Sequence, residues 1–246
     1  MNKISILFLT ILIFFLTILY SNFIFHDPDT ILWLCREDGM VEYLGSISFL
    51  IASIIFFSLY FKDKEKNDFI LFKTKKNVFY LLLGLAFFFA FAEEISWGQR
   101  IFNFGTPEIM DEINRQSEFN IHNINIFHGG DEQNIRKPFF ELFLNIDRLF
   151  SFFWLSFCFL VPVMNKYVPP FSRWLKKINL PIVPIWFGVF FLVNYILSKY
   201  FERNIPGFLH HSLTELKESG FAFLFFLLSI YFYHAKNIKS SAIKES

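Results

Sequence analysis

Cysteine is nearly absent. The two present, Cys35 and Cys158, have neither metal-ligand spacing nor the pattern of a disulfide framework. Cys158 lies in an apolar run, where a thiol acts as small hydrophobic filler. A charge excess is missing too: 23 Lys plus Arg against 22 Asp plus Glu leave a net charge of +1. No overall field therefore points to nucleic acid, and no nucleic-acid partner is expected. The chain has no His-Glu-x-x-His pair, no internal repeat and no low-complexity linker, so it reads as one domain over residues 1–246.

Apolar surface is what the chain has in quantity. It is 54% hydrophobic, with 39 phenylalanines, where a soluble domain is roughly 45–50% apolar. Mean hydropathy is +0.42. At ~1.5 Å per residue, a run of about 20 apolar residues crosses a hydrocarbon core of ~30 Å. Such runs fall at about 4–25, 40–61, 78–97, 143–164, 182–200 and 212–234. The fold class predicted is all-α, a polytopic membrane bundle of about six helices with a long outer loop over 101–138. A cleaved leader is not expected, because Tyr20-Ser-Asn-Phe is a poor cleavage site and the first run is too long.

Six spans put both termini on one side. That side holds 14 of the 23 Lys and Arg and only four of the 22 acids. The positive-inside rule makes it cytoplasmic, in a bacterial inner membrane. Eighteen acids and five of six histidines then gather at the outer helix ends, which predicts a polar pocket opening outward.

The chain is organised around Phe89-Ala-Phe-Ala-Glu-Glu-Ile-Ser-Trp-Gly-Gln-Arg100. Glu93 and Glu94 sit where an apolar run should leave the bilayer, and acids placed there cost several kcal/mol unless a cation meets them. One reading gives them catalytic work, as a metal ligand and a general base. The plainer reading is a helix end paired with Arg100 or Arg148. In the last span His211 and Glu215 stand at i, i+4, a spacing that lets two side chains grip one ion, and Glu94 is expected at similar depth. A divalent metal such as zinc is the cofactor such a set would hold; the plainer reading is a first turn rich in acids. In the long loop, Gln116, Glu118, Asn120, His122 and Asn123 alternate with less polar residues. Read functionally, they fold over the pocket and offer amides and an imidazole to substrate, with His122 the best catalytic candidate. Arg100 and Arg148 either clamp substrate or neutralise the acids. Glu37, Asp38 and Glu42 suggest an oxygen site for calcium, or solvated acids at a helix start.

Ala92-Glu-Glu-Ile-Ser-Trp-Gly-Gln-Arg100, followed by Asn114-x-Gln-x-Glu-x-Asn-x-His-Asn123, resembles a group of uncharacterised bacterial multi-pass membrane proteins. More distantly, Trp33-x-Cys-x-Glu-Asp…Glu42…Ser46 is similar to the calcium-site start of the alkaline ceramidases, membrane zinc amidases. That likeness implies hydrolysis, with His211-x-x-x-Glu215 in the place of a zinc-binding His-x-x-x-His. The Ser-x-x-x-His of that family has no counterpart, since Ser96 is followed at +4 by Arg100. Together these readings give a membrane hydrolase acting on a lipid or lipid-linked molecule. Their rivals are a transporter or lipid-handling protein with an acidic relay, and a partner subunit without catalysis.

Overall fold

The computed structural model describes residues 3–36, 38–63, 76–115, 117–127 and 144–244. Among them the fold is all-α; the one strand-like feature is an isolated antiparallel bridge between Asn114 and Ile124. The helices are α1 (Lys3–Phe25), α2 (Pro28–Leu34), α3 (Met40–Phe61), α4 (Val78–Glu94), α5 (Gln99–Phe102) and α6 (Glu108–Ile113). They are followed by α7 (Ile146–Tyr167), α8 (Pro169–Ile178), α9 (Ile185–Asn204) and α10 (His210–Lys244). Among the described residues, four helical stretches are long and apolar enough to cross a membrane: Ser5–Phe25, Met40–Phe61, Ile146–Tyr167 and Gly207–Asn237. Helix α4 has 17 residues, and the far half of α9 is diluted by Asn194, Ser198, Lys199 and Glu202.

Helix α10 is the centre of the bundle. Its apolar stretch is 61% buried, against 28% for α1 and 17% for α7, whose outer faces are left to the surroundings. Phe225, fully buried on α10, stacks on Phe153 of α7, tilts against Phe87 of α4 and meets Phe150 of α7 and Phe191 of α9 edge-on. Aromatic rings bury the most area per side chain, and packed pairs add about 0.5–1.5 kcal/mol beyond that burial. Part of the phenylalanine excess therefore joins helices, and part lies on exposed faces, as at Phe14, Phe25 and Phe152. Polar pins set the register. Ser53 of α3 donates to the Gly84 carbonyl of α4 at 2.8 Å. Fully buried Asn194 of α9 accepts from Tyr20 of α1 at 2.9 Å and donates to the Lys217 carbonyl of α10 at 3.0 Å.

At the end of the bundle where α3 and α10 finish and α4 begins, the charges are basic and answered. Buried Asp63 pairs with Lys236 at 2.7 Å and accepts the Asn77 amide at 2.8 Å. Asn77 itself caps α4 through the Phe79 amide at 3.0 Å. Lys236 also lies over the Tyr80 ring, and Lys62 donates to the Tyr233 hydroxyl at 3.0 Å. Helix α8 belongs to this end. It begins on Pro169-Pro170, buries Leu175 and Ile178, and exposes Arg173, Trp174, Lys176 and Lys177.

Helix boundaries correct the sequence reading in several places. The third run stops at Glu94, not Trp97, because Ser96, Trp97 and Gly98 all take left-handed backbone. The fourth helix starts at Ile146, where Asn145 accepts the Arg148 amide at 2.9 Å, and lasts to Tyr167. It contains a π-helical turn, Leu155–Leu160, which brings the Cys158 carbonyl against α9; a Cβ at Gly188 would lie 2.0 Å from that oxygen. The fifth helix spans Ile185–Asn204 after Pro181 and Pro184, and the last runs on to Lys244. Helices α2 and α8 stand where the sequence suggested only loops. Asp27 caps α2 by accepting the Thr30 amide and hydroxyl, each at 2.9 Å, which holds its carboxyl below the usual range. Glu37, most of the 62–76 loop and residues 128–143, with His128 and Glu141, lie outside the described residues.

Candidate functional site

The site begins where α4 ends. Ser96 (φ 46°), Trp97 (φ 52°) and Gly98 (φ 81°) turn the chain back on itself. Left-handed backbone suits Gly98 but costs about 1–3 kcal/mol at each of the other two. The side chains of the turn are tied down in return. Ser96 donates to Glu118 Oε2 at 2.7 Å, and the Trp97 indole donates to Glu93 Oε1. Gln99 Oε1 accepts the Phe119 amide at 2.7 Å, while Gln99 Nε2 donates to Thr106 at 2.7 Å.

The segment 114–123 is the other half of the same unit. Buried Asn114 donates to the carbonyl and the side-chain oxygen of Asn120, both at 2.9 Å. Asn120 in turn donates to Glu118 Oε2 at 2.8 Å. The Arg115 amide donates to the Asn123 carbonyl at 3.0 Å. Over this frame lies Glu93. Its Oε2 accepts the backbone amides of Ile121 and His122, each at 2.7 Å, and lies 3.1 Å from His122 Nδ1. A carboxylate facing Nδ1 requires the proton there, so Nε2 is left as the ring's second functional nitrogen. The two stretches picked out in the sequence, 92–100 and 114–123, thus form one hydrogen-bonded clasp that positions His122.

Beneath the clasp is a cavity of about 350 Å³, inside the range of small-molecule sites (~300–1,000 Å³). Helices α4 and α7 face each other across it; α9 and α10 close it, with Phe49 of α3 reaching in. Its wall is mostly apolar, from Phe87, Phe89, Ile146, Leu149, Phe150, Phe153 and Phe221. The polar lining is Glu93, Glu94, His122, Asp147, Ser151, Tyr195, Lys217 and Glu218. Lys217 Nζ is 3.5 Å from Glu218 Oε1. Glu94 is half-buried, and among the described residues it has no hydrogen bond or ion pair; the carboxylates of Glu218, Glu215, Glu42 and Glu93 are its electrostatic neighbours.

Of the residues expected in the site, Glu93, Glu94 and His122 meet at the cavity wall. Glu118, Asn120 and Asn123 are engaged inside the clasp and do not line the cavity. Arg148 is exposed in the first turn of α7, also away from the cavity. Gln116 and the side chain of Arg100 lie outside the described residues. His211 Nδ1 and Glu215 Oε1 are 3.8 Å apart as i, i+4 neighbours, with His211 largely exposed. Among the described residues, no group of three or more His, Cys, Asp or Glu is placed to hold a metal ion, so Glu94 is not gathered with His211 and Glu215 into one centre. Near the α3 start, Glu42 Oε2 accepts the Asp38 amide at 2.6 Å. Cys35 is buried close by, its thiol pushed up to about 12 by that burial and by Glu215, which makes it inert.

Sequence reasoning missed Asp147, Ser151, Tyr195 and Lys217. Asp147 stands beside Arg148, which was singled out, and a first-turn acid is ordinarily explained by the helix dipole. Lys217 precedes Glu218 in the same acidic turn, which was the available signal. Comparison with protein-family models, curated proteins and solved structures finds no match to this chain.

Proposed function

We propose that the chain is a six-span protein of a bacterial inner membrane with both termini in the cytoplasm, and that the cavity at its outer end hydrolyses a lipid or lipid-linked molecule. The four apolar stretches supply four spans; α4 and α9, which pack beside them, supply the other two. The basic end, with α8 and its Arg173, Lys176 and Lys177, then faces the cytoplasm.

One observation carries the hydrolytic reading: an imidazole oriented by a buried carboxylate on the wall of a largely apolar cavity. His122 Nε2 takes a proton from water, Glu93 fixes the ring and stabilises the imidazolium, and the bound molecule's apolar part lies among the phenylalanines. His122 then returns that proton to the leaving group, while Glu94 holds its negative charge toward the bound molecule. A metal-assisted version would place a divalent ion such as zinc on Glu94, His211 and Glu215; the reading here rests on His122 because those three are not gathered. Wild-type protein incubated with bacterial lipid extract should deplete one lipid class and release its polar fragment, read by mass spectrometry, and His122→Gln should not. Equal turnover by the variant overturns the proposal. A reporter fused after Ser246 that is active only outside the cell overturns the topology.

Lipid handling without cleavage is the second reading. It is favoured by the predominance of apolar over polar surface in the lining. Under it the same extract yields a bound, intact lipid and no product.

A further inference from the structure

The charge inside the cavity says which amphiphile it takes. Glu93 is satisfied by its clasp. Glu94, Asp147 and Glu218 remain on the wall, with Lys217 as the one lysine or arginine among the described lining residues, and Lys217 stands against Glu218. Glu94 has no hydrogen-bond partner or ion pair among the described residues, although it is half-buried beside phenylalanine rings. A carboxylate left so is costly, and a ligand cation removes the cost. A metal ion demands converging ligands at fixed short distances, which no described group of three supplies. An organic ammonium makes no such demand: it needs acceptors of negative charge and tolerates, or gains from, aromatic faces. The remaining wall asks for hydrocarbon.

We infer that the ligand of this cavity is an amine-bearing amphiphile, its ammonium between Glu94 and Glu218 and its chain along Phe87, Phe150 and Phe153. The inference rests on the cavity being the binding site and adds the sign of the head group. An anionic head, such as a phosphate monoester, meets the same carboxylates and is excluded by them.

The test uses the full-length protein in detergent and three probes of equal chain length: a long-chain primary alkylamine, the alkanol and the alkyl phosphate. Bound amphiphile is counted by native mass spectrometry across a concentration series. The amine should bind about tenfold more tightly than the alkanol, the size expected of one charge interaction, and the phosphate more weakly than either. Glu94→Gln should bring the amine down to the alkanol and leave the alkanol unchanged; Glu218→Gln serves the same purpose if the first variant does not accumulate. Alkanol or phosphate binding as tightly as the amine overturns the inference and leaves the cavity as a lipid site. An amine affinity that survives both substitutions overturns it equally. No binding by any of the three removes the cavity itself, and with it the hydrolytic reading.

Discussion

At the basic end of the bundle Asp63 is held by Lys236 and by the Asn77 amide; at the acidic end Glu94 faces a cavity with no such partner among the described residues. Both carboxylates belong to helix ends, and both lie near the early turns of other helices, Asp63 beside the start of α4 and Glu94 beside the start of α7 and the early turns of α10. The difference is what surrounds them. Lysines 62 and 236 reach over tyrosine rings and close the basic end with hydrogen bonds across helices. At the acidic end the hydrogen-bonding capacity is spent one residue earlier, on Glu93, and the neighbours of Glu94 are other acids. One end ties its carboxylate to neighbouring helices, and the other leaves Glu94 without a partner among the described residues. Adjacent glutamates, alike in sequence, divide the same way: Glu93 builds and Glu94 waits.

Breaking the basic end should have the largest effect on stability. Asp63→Ala leaves Lys236 without its partner and the Asn77 amide without its acceptor. Removing one member of a buried pair costs about 3–5 kcal/mol, which a denaturation series in detergent would read as a large loss with lipid turnover intact in the protein that remains folded. A change within the error of the melt would mean that this end is not a fastening. Glu93→Gln comes next. It forfeits one charged acceptor of two amides and an imidazole, for about 1–3 kcal/mol, and it should also abolish turnover, because His122 loses its orientation. Turnover retained at the wild-type rate would detach the clasp from the chemistry.

The cap of α2 offers a smaller effect and a sign. Asp27 is exposed, and its carboxyl is held below the usual carboxylate range by the Thr30 amide and hydroxyl. A depressed folded value stabilises the fold above the unfolded value, and that contribution is lost as pH falls through the folded one. Asp27→Asn should therefore flatten the acid limb of the stability profile below about pH 4 and lower stability slightly at neutral pH, where the charged cap contributes in full. An unchanged acid limb would show that α2 is held by packing alone.

How far the sequence could be read follows from the kind of interaction involved. Helices α1 and α3 were legible nearly to the residue, since Lys3, Pro28, Gly39 and the charges after Phe61 bound unbroken apolar runs. The end of α4 was misplaced because left-handed Ser96 and Trp97 have no propensity signature; Gly98 alone hinted at a helix stop. Asp27-Pro28 and Pro169-Pro170 fall between the apolar runs, and a proline in the first turn after a cap begins a helix there. For the site, two stretches stood out and Glu93, Glu94 and His122 were named, because acids and imidazole in apolar surroundings are costly whatever the fold. Their division of labour was not legible. It depends on Glu93 meeting backbone amides about thirty residues away, and on Glu118 and Asn120 turning toward Ser96 rather than toward the cavity.

The most direct test of that division is Glu94→Gln set beside Glu93→Gln, each melted in the same detergent and assayed for lipid turnover. The substitution at Glu94 keeps the shape, removes repulsion among acids and breaks no hydrogen bond found among the described residues. The protein should melt at the wild-type temperature or above it while turnover is lost, the trade expected of a site kept at some cost to stability. A melting temperature that falls as far as that of Glu93→Gln, with turnover preserved, would make Glu94 a fastening like Asp63 and contradict the account.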